Sequence, residues 1–147
     1  MSALPEPGLV CVVDDDAGVR QMISRMVRSV GLRVETYASV QEFLDLYDRR
    51  RAGCLVLDVR MPGQSGLELQ ERLAAEQAPL PIIFITGHGD IAMGVRAMKR
   101  GAVDFIEKPF QDQVLLDAIH AALARGGELR RTAAARAEAR ERVAGLT

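Results

Sequence analysis

Short apolar segments that alternate with amphipathic segments constrain the fold of this chain more than any other feature. Five short segments are predicted to be strands, at residues 9–13, 33–37, 54–58, 81–86 and 103–107, and the first, third and fourth of them are apolar runs typical of buried strands. Apolar residues at helical spacing follow each segment, at residues 17–30, 39–50, 65–76, 90–100 and 111–123. Because strands that are apolar at every position are buried on both faces, the pattern predicts a doubly wound α/β fold with a five-stranded parallel sheet between helices.

Local signals mark where several helices begin. Ser39 with Glu42, and Ser65 with Glu68, have the spacing of a capping box, which satisfies free N–H groups at a helix N-terminus. Asp16, the last of the three acidic residues after the first strand, is expected to cap the first helix. These signals support the alternation of strands and helices over residues 9–124.

The two ends of the chain have a different composition. Residues 1–8 contain two prolines and are predicted to form a flexible tail before the domain at residues 9–124. Residues 125–147 contain six Arg and three Glu, a balance of +3, whereas the whole chain has a net charge of −1. We interpret 125–147 as a solvated Ala/Arg-rich linker helix, which Gly126-Gly127 separates from the fifth helix; a weak coiled coil is the alternative.

Composition argues against several classes of protein. Trp is absent and aromatic residues make up 4% of the chain, so a base-stacking surface is not expected. Cys11 and Cys54 lie in apolar runs and are interpreted as reduced, buried thiols. With no basic leader before a long apolar run and no apolar run long enough to cross a bilayer, the sequence predicts a cytoplasmic protein without a membrane partner.

The residues that follow the predicted strands indicate chemistry. Asp14–Asp16 follow the first strand, Asp58 ends the third, Thr86 ends the fourth and Lys108 follows the fifth. Each alone has an ordinary explanation, such as a helix cap or a surface charge. Together they are expected to meet at the carboxyl edge of the sheet, where α/β folds bind their ligands.

Electrostatics indicate what these side chains bind. Two carboxylates about 5 Å apart repel by roughly 3 kcal/mol at an effective dielectric constant near 20. An all-oxygen cluster suits a hard divalent cation such as Mg²⁺ (or Mn²⁺), and Lys108 adds positive charge. A metal site beside a carboxylate, a hydroxyl and an ammonium is typical of phosphoryl transfer.

Four motifs also resemble the receiver domains of two-component response regulators: VVDDD at 12–16, LDVRMPGQSG at 57–66, FITGHGD at 84–90 and AVDFIEKPF at 102–110. The resemblance covers about residues 9–124, and the last two motifs are most similar to the NarL/FixJ group, whose receivers precede a LuxR-type output domain. It implies a flavodoxin-like sheet of order 2-1-3-4-5 in a signalling module that is not classed as an enzyme.

The resemblance implies a role for each site residue. Asp58 is the implied phosphoacceptor; Asp15, Asp58 and the backbone carbonyl of Arg60 bind Mg²⁺ directly, and Asp14 binds it through a water molecule. Thr86 and Lys108 are implied to bind the phosphoryl oxygens. Thr86 and Phe105 are implied to form a conformational switch, and the Lys108–Pro109 peptide is implied to be cis. Pro62 and Gly66 are implied to shape the loop after the third strand, and Arg60 and His88 are implied to flank the acceptor.

The resemblance also implies partners. A cognate histidine kinase would supply the phosphoryl group. Because the switch residues Thr86 and Phe105 lie on strands 4 and 5, we expect phosphorylation to favour a homodimer through helix 4, strand 5 and helix 5, a face that carries charges of both signs. The candidate contacts are Met93, Arg96, Ala97, Arg100, Asp104, Glu107 and Gln111. DNA would be bound only by an output domain, which we expect to follow residue 147 in a longer protein.

Three other functions were weighed against this interpretation. Haloacid-dehalogenase-like phosphotransferases need Asp-x-Asp after the first strand with the second Asp as acid/base, but Val59 and Arg60 follow the candidate nucleophile here. A nucleotide-binding domain would need a Gly-rich turn after strand 1, where this chain has Asp14–Asp16. A constitutive dimerisation module would not need the acidic site, and a phosphorylation assay distinguishes the two.

Overall fold

The computed structural model describes residues 8–61, 63, 65–75, 80–87 and 91–145. The strands are β1 (Leu9–Val13), β2 (Val34–Tyr37), β3 (Ala52–Asp58), β4 (Ile82–Thr86) and β5 (Asp104–Glu107). All neighbouring strands are parallel, in the order β2-β1-β3-β4-β5. The predicted α/β fold and its strand order are therefore confirmed.

Five helices alternate with the strands: α1 (Ala17–Ser29), α2 (Val40–Leu46), α3 (Gly66–Ala74), α4 (Ile91–Lys99) and α5 (Asp112–Gly145). Side chains cap three of them as the sequence predicts, since Asp16, Ser39 and Ser65 each accept a backbone hydrogen bond at a helix N-terminus. The second helix ends at Leu46 rather than near Arg50, because the next residue has an extended backbone with φ −71° and ψ 147°.

Alternate residues of the strands point to opposite faces of the sheet and form two apolar cores. One core contains Leu55 and Leu57 of β3 and packs against α2, α3 and α4, where Phe43 is fully buried. The other contains Cys54 and Val56 and packs against α1 and α5. Helices therefore cover both faces of the sheet, and the residues at its carboxyl edge extend from strands that are packed on both sides.

The fifth helix differs from the prediction. Gly126-Gly127 was expected to interrupt it after Leu123, but α5 continues through both glycines as one helix of 34 residues. Gly126 is needed for space, because a Cβ at that position would lie 2.5 Å from the carbonyl oxygen of Gly53 in β3. The glycine thus allows close packing of helix on sheet, and the neighbouring contacts hold it in helical conformation.

Among the described residues, no helix has both the length and the apolar composition that a membrane crossing needs. Although α5 is long, its second half consists largely of Ala, Arg and Glu.

Candidate functional site

Two central strands bring the first two carboxylates together. β1 and β3 are neighbours, with Val13 opposite Leu57, so Asp14 and Asp58 follow at matching positions of the carboxyl edge. Asp15, the next residue along the chain, is exposed. Carboxylate oxygens of Asp14, Asp15 and Asp58 all lie within 4.8 Å of one another.

Asp14 is fully buried, and its backbone and its carboxylate both make hydrogen bonds. Its backbone N–H donates to the carbonyl of Tyr37 over 3.2 Å, and its carbonyl accepts from the Arg20 guanidinium over 2.7 Å. Its carboxylate accepts from the backbone N–H of Asp16 at 2.9 Å and from Lys108 Nζ at 2.9 Å. A buried charge requires such compensation, since burial without partners would favour its neutral form.

Lys108 links the two buried carboxylates. Its ammonium lies 2.9 Å from Asp14 Oδ2 and 3.4 Å from Asp58 Oδ2. The Lys108 backbone N–H donates to the carbonyl of Thr86 over 2.7 Å, and the Lys108–Pro109 peptide is cis. The end of β4 and the loop after β5 therefore place this ammonium over the acidic cluster.

The surroundings shift the pKa of two groups. Burial raises the pKa of the Asp58 carboxyl, and the nearby Asp14 charge raises it further, although the Arg60 N–H bond to Asp58 Oδ1 and the Lys108 charge oppose both effects. Burial acts to lower the pKa of Lys108, but its hydrogen bond to Asp14 and the two carboxylate charges outweigh burial and leave that pKa raised. Lys108 is therefore a cation at neutral pH, and Asp58 is a more basic carboxylate than an exposed Asp.

The donor set fits a hard divalent cation. Three carboxylates provide only oxygen ligands, and Asp15 remains exposed, so that a partly hydrated ion could reach it. Mg²⁺ is commonly held by a few carboxylates and several waters in this way. The acidic cluster could therefore bind a metal.

Thr86 and Phe105 lie on the neighbouring strands β4 and β5. Thr86, at the end of β4, is fully buried, and Phe105 of β5 is half-buried. The Phe105 ring lies against α4, since a Cβ at Gly94 would come within 2.7 Å of its Cε1 atom. The ring is therefore positioned to respond to movement of α4 or β5.

The structure describes two of the four other residues that the resemblance implicates around Asp58. Gly66 is buried at the start of α3, where a Cβ would lie 2.9 Å from the Asp58 carbonyl oxygen, so its small size allows α3 to approach β3. Arg60 has an exposed side chain, and its backbone N–H donates to Asp58 Oδ1 over 3.1 Å. Pro62 and His88 lie outside the described residues.

The candidate interaction face also differs in part from the expectation. Ala97 is fully buried and Met93 packs against the core, so neither can be a principal surface contact. Helical phase places a different set of apolar side chains outward on α4, namely Ile91, Val95 and Met98. With Gly94, Lys99, Phe105 and Glu107, they line an open groove of about 590 Å³.

Comparison with known proteins agrees with this geometry. Residues 10–120 match the response regulator receiver domain family. The chain belongs to the response regulator receiver family. Receivers of this family are signalling modules that interact with histidine kinases and often dimerise.

Two curated relatives are longer than this chain. The chain is 46% identical over 144 residues to the transcriptional regulatory protein FixJ of Azorhizobium caulinodans, covering 98% of the chain and 68% of that relative. It is 55% identical over 117 residues to nodulation protein W of Bradyrhizobium diazoefficiens, covering 80% of the chain but 52% of that relative. The chain thus spans about half the length of several curated relatives.

The solved structure of the response regulator StyR matches the receiver domain and the long fifth helix together. Its TM-score is 0.88 at 46% sequence identity, over 97% of this chain and 72% of that one. The predicted membership of the NarL/FixJ group agrees with the FixJ relatives.

Proposed function

We propose that this receiver domain accepts a phosphoryl group on Asp58 from a histidine kinase, with Mg²⁺ bound beside it. The observation that carries the proposal is Asp58, a residue that is only 6% exposed at the carboxyl edge and whose carboxylate is paired with Lys108 at 3.4 Å. A carboxylate with a raised pKa and a neighbouring cation suits a nucleophile that attacks a phosphoryl group. The Asp14 carboxylate, by comparison, is fully buried and lies closer to Lys108 Nζ, at 2.9 Å.

In the proposed reaction, an Asp58 carboxylate oxygen forms a bond to phosphorus while the bond between phosphorus and the donor breaks. The leaving group of the donor is the imidazole of a phosphohistidine, which departs through its nitrogen, or acetate, which departs through its oxygen when acetyl phosphate is the donor. The Lys108 ammonium and the Thr86 hydroxyl would bind the phosphoryl oxygens. Lys108 Nζ lies 3.4 Å from Asp58 Oδ2, and Thr86 directly follows Ile85, which is opposite Asp58 on the neighbouring strand.

Asp15, Asp58 and the backbone carbonyl of Arg60 are the proposed direct ligands of Mg²⁺, and Asp14 is proposed to act through a water molecule. A bound Mg²⁺ would offset the negative charge of the phosphoryl oxygens and of the carboxylates. Support for this assignment comes from the closeness of the three carboxylates, within 4.8 Å, and from the exposure of Asp15. Mn²⁺ prefers similar ligands and is expected to substitute.

Phosphorylation is proposed to change the conformation through Thr86 and Phe105. A hydrogen bond from the Thr86 hydroxyl to the phosphoryl group would exist only in the phosphorylated state, and such a differential contact can shift a conformational equilibrium. Phe105 packs against Gly94, so a movement of this ring would alter the position of α4.

The proposed consequence is a homodimer formed through α4, β5 and α5. This face has the open groove with exposed Ile91, Val95 and Met98, and charges of both signs at Arg96 and Glu107. A two-fold interface can pair such opposite charges between the two copies.

We further propose that residues 9–124 are the receiver proper and that residues 125–147 lead toward an output domain in a longer cytoplasmic protein. Control of transcription is proposed by analogy with FixJ, and DNA would be bound by that output domain only.

The decisive experiment is incubation with acetyl phosphate and Mg²⁺, followed by intact-mass measurement. We expect one phosphoryl group per chain, none with excess EDTA and none in Asp58→Asn. Asp104→Asn, a change of the same kind at a half-buried position on β5, is the matched control and should accept the group at the parent rate. An equal yield in Asp58→Asn and the parent would refute the assignment of the acceptor.

A further inference from the structure

Arg20 has a contact that the implied set of site residues does not include. It lies in α1, and its Nη1 atom donates a hydrogen bond of 2.7 Å to the backbone carbonyl of Asp14. That distance is at the short end for an N–H···O bond, and the donor is charged, so the contact belongs to the stronger class of hydrogen bonds.

The geometry of the peptide bond extends this contact to the next residue. The Asp14 carbonyl and the Asp15 N–H belong to one planar peptide group. A bond that fixes the carbonyl therefore also fixes the direction in which the chain enters Asp15. Since the Asp15 side chain is exposed, the orientation of its backbone determines much of where its carboxylate can lie.

The other contacts of Asp14 act at different atoms. The N–H is bonded to Tyr37, which continues the sheet by one residue, and the carboxylate is bonded to Asp16 and Lys108. The ladder between β1 and β3 ends at Val13 with Leu57, so it does not reach the Asp14 carbonyl. The Arg20 side chain is thus the contact that acts on the peptide between the two acidic residues.

Charge acts in the same direction as geometry. The Arg20 guanidinium lies 2.7 Å from the Asp14 carbonyl oxygen, in a segment whose neighbouring carboxylates repel one another, and a nearby cation lowers the cost of holding them together. A neutral donor at this position would keep the hydrogen bond but would lose this effect.

We propose that Arg20 is a positioning residue for the metal ligand Asp15: it holds the Asp14–Asp15 peptide so that the exposed carboxylate faces the cation site. This inference rests on the proposed binding of Mg²⁺ and adds a residue whose effect on the site is indirect. Loss of Arg20 should weaken Mg²⁺ binding while leaving the acceptor and Lys108 in place.

Mg²⁺ affinity without any phosphodonor is the primary measurement, by isothermal titration calorimetry on the full chain. We expect Arg20→Met to raise the Kd for Mg²⁺ about three- to tenfold, the effect of losing one such hydrogen bond. Arg20→Lys keeps the charge and one donor and should fall between Arg20→Met and the parent. Arg25→Met, which removes the same charge from an exposed position on α1, should change the Kd by less than about twofold.

A second measurement separates positioning from general damage. At saturating Mg²⁺, Arg20→Met should be phosphorylated by acetyl phosphate at a maximal rate within about twofold of the parent, because its catalytic groups are intact. A maximal rate that stays depressed at every Mg²⁺ concentration would overturn the positioning role. If Arg20→Met is poorly folded in metal-free urea unfolding, an Arg20→Lys variant with parental affinity or better would overturn it as well.

The outcomes also separate this inference from the proposed function. Equal Kd values in Arg20→Met, Arg25→Met and the parent, with binding abolished in Asp15→Asn, would overturn the role of Arg20 and leave the metal site standing. A parent chain that binds no Mg²⁺ would overturn both.

Discussion

Gly126 of α5 lies against the backbone carbonyl of Gly53 in β3, so closely that a Cβ at Gly126 would sit 2.5 Å from that oxygen. Gly53 is equally confined, because a Cβ there would lie 2.6 Å from Gly8 Cα and 2.7 Å from Leu123 Cδ2. At Gly126 the backbones of α5 and β3 are therefore in direct contact, and the Leu123 side chain packs beside them.

This contact predicts opposite effects of one substitution at adjacent glycines. Gly126→Ala should destabilise the fold by about 1–3 kcal/mol, since helix and strand must separate, despite the better helix propensity of Ala. Gly127→Ala meets only the flexible end of Arg131 at 3.3 Å and should stabilise by about 0.5–1 kcal/mol. Urea unfolding measures both, and stabilisation by both substitutions would contradict the packing role of Gly126.

The raised pKa of Asp58 predicts how the metal-free stability of Asp58→Asn depends on pH. Because the carboxyl binds its proton more tightly in the folded state, its ionisation costs stability once the pH rises above the ordinary Asp value of 3.8 toward the folded pKa. Asp58→Asn removes that cost and should be more stable than the parent near pH 7. The advantage should shrink as the pH falls toward 3.8.

Denaturant unfolding in EDTA at several pH values tests this dependence. Asp104→Asn, on β5, serves as the control for an amide that replaces a carboxylate outside the acidic cluster. A parent chain that is more stable than Asp58→Asn at pH 7 without metal would show that Lys108 compensates the buried charge fully.

Substitution of Thr86 should separate phosphorylation from its consequence. Thr86→Ala should still gain a phosphoryl group on Asp58, at a rate reduced no more than about tenfold, because the nucleophile and Lys108 remain. Phosphorylation-dependent dimerisation should be largely lost, since the hydroxyl that distinguishes the two states is missing. Thr86→Ser keeps the hydroxyl and should dimerise, as measured by light scattering after size exclusion. Full dimerisation in Thr86→Ala would remove the hydroxyl from the switch.

The dimer face can be tested by charge reversal. Arg96→Glu on exposed α4 should weaken dimerisation of the phosphorylated chain, whereas Arg25→Glu on α1, on the other face of the sheet, should not. Truncation after Arg130 keeps the Gly126 contact and should preserve dimerisation. If truncation alone abolished the dimer, the interface would lie in the second half of α5.

Both thiols should be inert in the folded protein. Burial raises the pKa of Cys11 to about 12 and raises that of Cys54 as well, so neither forms the reactive thiolate near pH 8. The two side chains face opposite cores, which keeps them apart. Alkylation should be about a hundredfold or more slower than in urea, where both should react fully. Rapid labelling of the native chain would indicate that the sheet opens readily.

The sequence predicted the sheet and its acidic edge because burial leaves a direct signal in the pattern of residues. Continuous apolar runs such as that of β3 identify strands covered on both faces, and the polar residue at the end of each run marks the binding edge. A glycine leaves a weaker signal: the conformational freedom of Gly126 predicts a helix break, whereas its role depends on the distance to Gly53, which is a tertiary property.

The same limit applies to the residues that sequence analysis missed. Arg20 contributes through a bond to a backbone carbonyl, which leaves no motif, although an Arg one turn into a helix after an acidic loop is a signal that could be searched for. On α4, Ala97 and Val95 are both apolar, and only the helical phase relative to the sheet decides which one faces solvent.

The unbroken course of α5 has a mechanical consequence. A helix rises about 1.5 Å per residue, so the 20 residues from Gly126 to Gly145 reach about 30 Å from the point of attachment. A tilt of the helix by about 5° about that point would displace its far end by roughly 3 Å. The glycine contact acts as a fulcrum and the exposed half of the helix as a lever arm, which turns small adjustments in the sheet into displacements large enough to make or break a contact.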